Sequence, residues 1–252
     1  MLAFLLRRGI EVKPTEADLP FPKSLDRART ERFGQLLDSY AFRLFVRGAI
    51  LKPEGFLPAE ATRYLGAAKA SAFAEELGDL GLVERLPRGR YRFLCLAHSF
   101  GGTLEWYVAR ELERRLGFAV ATGLAWRARG VGGDLDVAAV ADGRLVYLEL
   151  KSGPPKHLST SEVASFFDRL RALRPDVALF VLDTSLRLSD KVLPMLSAEL
   201  ERRGPTPPPR RVIRELWALT PHLFAASAKW DLMGNVILGI AQGLSALSPE
   251  PP

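Results

Sequence analysis

The 252-residue sequence has one cysteine, three histidines and no long apolar run. Because Cys95 stands alone, an internal disulfide and a thiolate zinc cluster are both excluded. The histidines are too scattered for their spacing to indicate a zinc site. No apolar run approaches the ~20 residues that a membrane helix needs. The first apolar residues precede Arg7 and Arg8, the reverse of a signal peptide. These absences predict a soluble cytoplasmic protein without a membrane partner.

The composition supports a packed protein with a basic surface. Hydrophobic residues make up 48% of the chain, which is ample for a core of one large domain or two small ones. The formal net charge of +6 favours an anionic partner. Nucleic acid is the first such partner, and a basic surface that serves only solubility is the alternative.

The first third of the chain divides into an arm and a small domain. Residues 1–32 join a short apolar start to LPFPKSLDRARTER, which is too polar and interrupted to form a core alone. We expect an arm or the remnant of a larger domain there. From Phe33, helical patterns precede LVERL-PRGR-YRFLCL, whose turn residues and alternation predict a hairpin. This order predicts a winged-helix domain over 33–95.

The predicted winged helix suggests nucleic-acid contacts. Lys69 lies on the candidate recognition helix, and Arg88 and Arg90 lie on the candidate wing. Glu75 and Glu76 on the same helix repel phosphate, so a dimerisation or spacer module is the alternative.

Residues 96–248 predict a mixed α/β domain with helices on both faces of a central sheet, followed by a tail at 249–252. Helical patterns are GGTLEWYVARELERRLG, SEVASFFDRLRAL, DKVLPMLSAELERRG and the closing KWDLMGNVILGIAQGLSAL; strand patterns are FAVATGLAW, DLDVAAV, RLVYLELKS, VALFVLD, RVIRELWAL and HLFAAS.

Charged residues gather at one end of a predicted hairpin. Asp142-Gly143 is a favoured two-residue turn, because both positions tolerate positive φ. The register that follows places Asp136 opposite Glu149 and Asp134 opposite Lys151. Since side chains alternate along a strand, all four point to one face.

Two opposed carboxylates on a sheet repel each other and require a positive neighbour. A cross-strand ion pair of Asp134 with Lys151 is the simple solution. A divalent metal is the stronger one, with Asp136, Glu149 and the carbonyl of Leu150 as ligands. Lys151 then lies close enough to orient or deprotonate a bound water and to stabilise charge on phosphate.

Asp136, followed thirteen positions later by Glu149-Leu150-Lys151 after an apolar strand, resembles the PD-(D/E)xK nuclease superfamily. The resemblance implies a restriction-endonuclease-like mixed-sheet α/β/α fold. It also implies Mg²⁺ or Mn²⁺ held by Asp136 and Glu149, and a catalytic role for Lys151. Many members take a further acidic residue from the first helix, where Glu105 is our candidate.

The GGTLEWYV helix start, the DLDV and LELKS strands and the preceding winged helix resemble a narrower group. These are CRISPR-associated effector nucleases that carry a cyclic-oligoadenylate-sensing domain. The resemblance implies a role in antiviral defence and a cyclic-nucleotide activator. Residues 1–32 are too few for the sensing domain, so we expect that domain to be absent from this chain. On the helix that carries Glu105, Glu111 and Glu113 are predicted to be solvated.

Basic residues flank the predicted site. Arg127 and Arg129 precede it and Lys156 follows it, which suits a phosphate backbone. We therefore predict a metal-dependent endonuclease acting on DNA, with RNA as a second substrate. The apolar closing helix is either the last wall of the core or a dimer contact, and cutting both strands of a duplex favours a homodimer. The alternative is a catalytically inactive nucleic-acid-binding regulator or assembly module with a nuclease-like fold.

Overall fold

A computed structural model describes residues 1–247 and divides the chain into two compact units. One unit is Ala17–Tyr107, and the other joins Met1–Glu16 to the chain from Val108 onward. These boundaries differ from the predicted arm at 1–32 and domains at 33–95 and 96–248. The predicted tail at 249–252 lies outside the described residues. Across residues 1–247, no helix is both long and apolar enough to cross a membrane.

The elements are numbered in chain order. The helices are α1 (Leu2–Arg7), α2 (Arg27–Leu37), α3 (Tyr40–Ile50), α4 (Pro58–Ala61), α5 (Ala67–Asp79), α6 (Gly101–Leu116), α7 (Thr160–Leu173), α8 (Val192–Arg203) and α9 (Leu232–Ser245). The strands are β1 (Glu11–Pro14), β2 (Val83–Leu86), β3 (Arg90–Phe93), β4 (Ala119–Ala121), β5 (Leu124–Ala128), β6 (Val131–Leu135), β7 (Val137–Ala141), β8 (Arg144–Lys151), β9 (Val177–Leu182), β10 (Arg210–Ile213), β11 (Leu216–Thr220) and β12 (Leu223–Ser227).

The Ala17–Tyr107 unit contains α2 to α5 and the hairpin of β2 and β3. Asp26 caps α2 by accepting a hydrogen bond from the backbone N–H of Arg29 (2.9 Å). Phe45 and Phe56 are buried and meet edge to face, with ring centroids 5.8 Å apart. The predicted hairpin is present, with Val83 opposite Phe93. Assignment of these elements to the winged-helix fold stays a prediction.

The packing of α3 against α4 depends on Gly48. A Cβ atom at this position would overlap the backbone carbonyl of Ala61. We therefore expect Gly48→Ala to lower the free energy of unfolding by about 2–3 kcal/mol, because neither backbone can give way cheaply. Gly78 in α5 faces open space. There the same substitution is expected to be neutral or stabilising by up to ~1 kcal/mol. Urea denaturation of both variants measures the difference, and equal effects would contradict this close approach.

The second unit is built on a seven-stranded mixed sheet in the order β10-β11-β12-β9-β8-β7-β4. β9 lies parallel to both β8 and β12, and the remaining neighbours are antiparallel. Every residue of β9 is buried, as expected for a central strand covered on both faces. This part of the chain has the mixed α/β architecture predicted from the sequence.

Helices cover both faces of this sheet. On one face, Phe166 of α7 contacts Phe180 of β9, with ring centroids 5.0 Å apart. On the other, Gly239 of α9 lies against Leu179 and Leu216. A capping box at Ser159 and Glu162 begins α7, as predicted. The closing helix therefore packs on its own sheet, and a dimer contact through it stays a prediction.

Three strand predictions were wrong in their extent. FAVATGLAW contains two strands in different sheets, β4 and β5. DLDVAAV is also divided, because the chain leaves β6 and enters β7 at Asp136. RVIRELWAL forms two antiparallel strands, β10 and β11, joined at Arg214, whose φ is 50°. Alternating apolar residues did not reveal these short breaks.

Residues 1–16 are not a detached arm. Leu5 and Ile10 are fully buried in the same core as Trp126 and Tyr147. β1 pairs with β5 in a three-stranded sheet of order β1-β5-β6. The N-terminal segment is thus part of the larger unit.

Candidate active site

The hairpin of β7 and β8 positions the candidate site. Asp142 and Gly143 both have positive φ, 48° and 74°, as the predicted turn requires. Ala141 pairs with Arg144, and the ladder continues to Val137 opposite Leu148. The predicted register is therefore confirmed over this ladder.

Asp134 does not join the cluster, so its predicted pairing with Lys151 was wrong. It lies in β6 opposite Ala125 of β5, in the three-stranded sheet, and it is exposed. The reason is the break at Asp136, beyond which the chain turns towards a different sheet. The simple ion pair of Asp134 with Lys151 is thereby excluded as the explanation for the charged end of the hairpin.

Glu149 is buried, with 2% of its side chain exposed, and four hydrogen-bond donors surround it. Oε1 accepts from Arg169 Nη2 at 2.6 Å and contacts Lys151 Nζ at 3.0 Å. Oε2 accepts from Arg169 Nε at 3.1 Å and from the hydroxyl of Tyr147. Burial and the charge of Glu149 hold the pKa of Tyr147 well above its usual value, so this hydroxyl stays protonated and donates.

Asp136 lies beside Glu149 at the end of the hairpin. Its Oδ2 accepts a hydrogen bond from the backbone N–H of Leu150 at 2.7 Å. Burial and then the negative charge of Glu149 raise the pKa of Asp136 from 3.8 to about 7, against the opposing effects of the Leu150 N–H and Lys151. The predicted repulsion between two carboxylates is present, and a second positive charge at this position would relieve it.

Asp136 should make the stability of the metal-free protein depend on pH. Because its pKa is raised in the folded state, folding binds a proton between pH 4 and 7, and the ionised side chain destabilises the fold at higher pH. In EDTA at pH 8, Asp136→Asn is expected to raise the free energy of unfolding by about 2 kcal/mol, and the gain should shrink as the pH falls from 7 towards 4. Denaturant titrations at several pH values measure it. Asp134→Asn, at an exposed carboxylate, should change little, and equal behaviour of the two variants would contradict the strained position of Asp136.

Lys151 lies between two carboxylates. Its Nζ is 3.0 Å from Glu149 Oε1 and 3.6 Å from Glu162 Oε1. Burial lowers the pKa of Lys151, but the charge and hydrogen bond of Glu149 outweigh burial, so the pKa lies above its usual value. Lys151 is therefore an ammonium ion at neutral pH. It can donate hydrogen bonds but cannot accept a proton.

A small cleft of about 190 Å³ opens beside this lysine. Lys151, Ser152, His157 and Glu162 line it with polar groups, and Leu150, Leu158 and Leu182 are among its apolar lining residues. The cleft gives the ammonium group access to a molecule outside the sheet.

The donors present fit part of the coordination shell of a divalent cation. Asp136 and Glu149 offer carboxylate oxygens, which are hard ligands. The third predicted ligand is the carbonyl oxygen of Leu150, and the N–H of the same residue donates to Asp136. Within residues 1–247, no group of three or more His, Cys, Asp and Glu side chains could hold a metal ion. An ion at this site would therefore need backbone, water or substrate oxygens to complete its shell, as is usual for Mg²⁺.

Sequence reasoning missed three residues of the site. Tyr147 was open to detection, because it lies two residues before Glu149 and therefore points to the same face of β8. Arg169 and Glu162 come from α7, and no local pattern in the sequence ties them to the strand.

The remaining predicted residues lie at several places. Glu105 lies in α6 within the Ala17–Tyr107 unit, and its catalytic role stays a prediction. Arg129 donates to the carbonyl of Ala172 at 2.8 Å, so its guanidinium braces the end of α7. Arg90 likewise donates to the carbonyl of Gly55 at 2.6 Å. Four others have exposed side chains: Lys69, Arg88, Arg127 and Lys156.

Glu111 is not solvated, and this prediction was wrong. It is 1% exposed and forms ion pairs with Arg110, Arg114 and Arg115, at 2.5, 2.7 and 2.6 Å. Three basic residues within one helical turn of Glu111 supply its counter-charges. Glu113 is exposed, as predicted.

Comparison with known proteins gives a likeness of fold. No protein-family model matches the chain, and no curated protein matches it. The protein VC1899 from Vibrio cholerae is similar in structure over 96% of this chain and 61% of its own, with a TM-score of 0.53 and 13% sequence identity. Can2 from Sulfobacillus thermosulfidooxidans, solved in complex with cyclic tetra-adenylate, is similar over 95% of this chain and 60% of its own, with a TM-score of 0.47 and 15% identity. The chain thus spans about three fifths of the length of either structure.

Proposed function

We propose that the chain is a metal-dependent nuclease that hydrolyses phosphodiester bonds of DNA or RNA. One observation carries the proposal: at the end of the β7 and β8 hairpin, Asp136 accepts a hydrogen bond from the N–H of Leu150, the residue after Glu149, and the ammonium group of Lys151 lies 3.0 Å from Glu149. A surface that needed only solubility would have no physical reason to hold two carboxylates in mutual repulsion inside a partly buried site.

Asp136, Glu149 and the carbonyl of Leu150 would hold Mg²⁺ or Mn²⁺. When bound, such an ion activates water and stabilises negative charge on phosphate oxygens. The contribution of the protein is to fix the two carboxylates: the Leu150 N–H orients Asp136, and Arg169 with Tyr147 orients Glu149.

Lys151 would stabilise the phosphate that reacts. Although burial opposes it, the charge of Glu149 raises the pKa of Lys151 and keeps its side chain protonated. A protonated lysine cannot act as the general base. An ammonium group beside the cleft can donate to a phosphate oxygen as negative charge gathers there. Of the two roles predicted from the sequence, charge stabilisation is the better supported.

Nucleic acid would bind through the basic surface. The net charge of +6 favours a polyanion, and the exposed Arg127 and Lys156 belong to the unit that contains the site. Lys69 and Arg88 would contact nucleic acid from the other unit if residues 33–95 act as a winged helix. We also propose that the protein acts as a homodimer. Its role would be defence against foreign nucleic acid, which the resemblance to CRISPR-associated effector nucleases implies.

The test uses the purified 252-residue chain with supercoiled plasmid, linear single-stranded DNA and RNA. Each substrate is incubated with Mn²⁺, with Mg²⁺ or with EDTA, and each series is repeated with a cyclic oligoadenylate because the resemblance implies such an activator. We expect cleavage of at least one substrate that requires the metal. Absence of cleavage in every arm would reject the nuclease.

The four donors around Glu149 favour a second candidate. A disused site could keep Glu149 as the centre of an internal ion-pair network, as in a nucleic-acid-binding regulator that does not cut. Gel-shift binding of the same substrates separates the two, because a regulator binds without cleavage and without dependence on Mn²⁺.

A further inference from the structure

The carboxylate of Glu149 has no acceptor capacity left. Two oxygens offer about four lone-pair positions in total. Arg169 Nη2 and Lys151 Nζ occupy Oε1, and Arg169 Nε and the Tyr147 hydroxyl occupy Oε2. This inference rests on the proposed metal site: if Glu149 is to bind a divalent cation, one of these donors must first leave.

Lys151 is the donor that can leave at the lowest cost. Tyr147 is fully buried, and the side chain of Arg169 is 17% exposed and contacts both oxygens at once. The side chain of Lys151 is 26% exposed and contacts Oε1 alone. It also borders the cleft, so it has space into which it can move.

Glu162 provides a second acceptor for that lysine. As the third residue of α7, it accepts hydrogen bonds at Oε2 from the N–H and hydroxyl of Ser159, both at 2.9 Å. This capping box fixes its carboxylate and leaves Oε1 directed towards Lys151 Nζ, 3.6 Å away. The start of the helix therefore holds a second negative charge within reach of the same ammonium group.

We propose that Glu162 is a positioning residue, which takes over the ammonium group of Lys151 when Oε1 of Glu149 binds a divalent cation. Without the cation, Lys151 fills the position at Glu149. With the cation, Lys151 pairs with Glu162 and remains beside the cleft, where a phosphate would lie. One ammonium group thus serves as a counter-charge in both states.

The test measures Mn²⁺ binding without nucleic acid, from the loss of the free-ion signal in electron paramagnetic resonance. We expect Glu162→Gln to bind Mn²⁺ about three- to tenfold more weakly than the unmodified protein, because Lys151 loses its second ion-pair partner. Glutamine preserves the capping box, so the helix should remain intact. Lys151→Met should bind about tenfold more tightly, because a donor and a positive charge are removed together.

The double variant distinguishes positioning from a general effect on the fold. If Glu162 acts through Lys151, adding Glu162→Gln to Lys151→Met should leave the affinity of the single Lys151 variant unchanged. Glu201→Gln, at an exposed carboxylate of α8, is the matched control and should bind as the unmodified protein does. Thermal melts check that all variants are folded.

The outcomes separate this inference from the proposed function. Equal Mn²⁺ affinity of the unmodified protein and Glu162→Gln would overturn the role of Glu162 while leaving the metal site in place. A loss of affinity that is the same with and without Lys151 would also overturn it. Failure of both the unmodified protein and Lys151→Met to bind Mn²⁺ would reject the metal site itself.

Discussion

Replacement of Glu149 by glutamine is expected to reduce metal-dependent cleavage at least about a thousandfold, which corresponds to roughly 4 kcal/mol of transition-state stabilisation. The substitution removes one of the two negative charges that would hold the metal. It leaves an amide oxygen for Arg169 and a side chain of the same size, so the fold should be retained. The measurement is the initial rate of plasmid cleavage in Mn²⁺, from which the background rate in EDTA is subtracted.

The matched control for this variant is Glu201→Gln. It makes the same chemical change at an exposed carboxylate in α8 and should cleave at the unmodified rate. Circular dichroism before and after the assay excludes unfolding as the cause of any loss. Undiminished cleavage by Glu149→Gln would place the catalytic centre elsewhere in the chain.

Replacement of Arg169 by methionine is expected to lower the free energy of unfolding by about 3 kcal/mol, because it leaves a buried carboxylate with less counter-charge. Glu149 is 2% exposed, and the guanidinium contacts both of its oxygens. Lys151 and Tyr147 remain as partners, so the loss should lie at the lower end of that observed for broken buried ion pairs. Urea denaturation in EDTA measures it.

Two further variants make this result specific. Arg171→Met removes the same charge two residues away on an exposed part of α7 and should change stability by less than about 0.5 kcal/mol. Combining Arg169→Met with Glu149→Gln should cost less than the sum of the two single changes, since each removes the same ion pair. Additive effects, or equal effects at 169 and 171, would show that the pair contributes nothing to stability.

The part of the site that lies on the β7 and β8 hairpin could be predicted from the sequence, because residues close in sequence determine its geometry. The Asp142-Gly143 turn fixes the register of β7 and β8, and through it the side of the sheet on which Glu149 and Lys151 lie. Their common direction follows from the twofold period of a strand. Tyr147 obeys the same rule and was available to the same argument.

The rest depends on contacts between distant parts of the chain. Arg169 lies 20 residues after Glu149 and reaches it only because α7 packs over β8. Asp134 follows the same alternation as its neighbours, yet the chain changes sheets at Asp136, and no propensity marks that break. The polarity of residues 11–32 concealed a strand whose partner is more than 100 residues away in sequence.

Because β1 pairs with β5, residues 1–16 cannot be buried until the chain beyond Tyr107 has been synthesised. Residues 1–16 are synthesised before Ala17–Tyr107, and the strands and core residues that cover Leu5 and Ile10 follow only after the whole of that unit. At typical translation speeds, the roughly 90 intervening residues take about 5 to 18 seconds to synthesise. During that time the apolar residues Leu5 and Ile10 are without the partners that bury them in the folded unit.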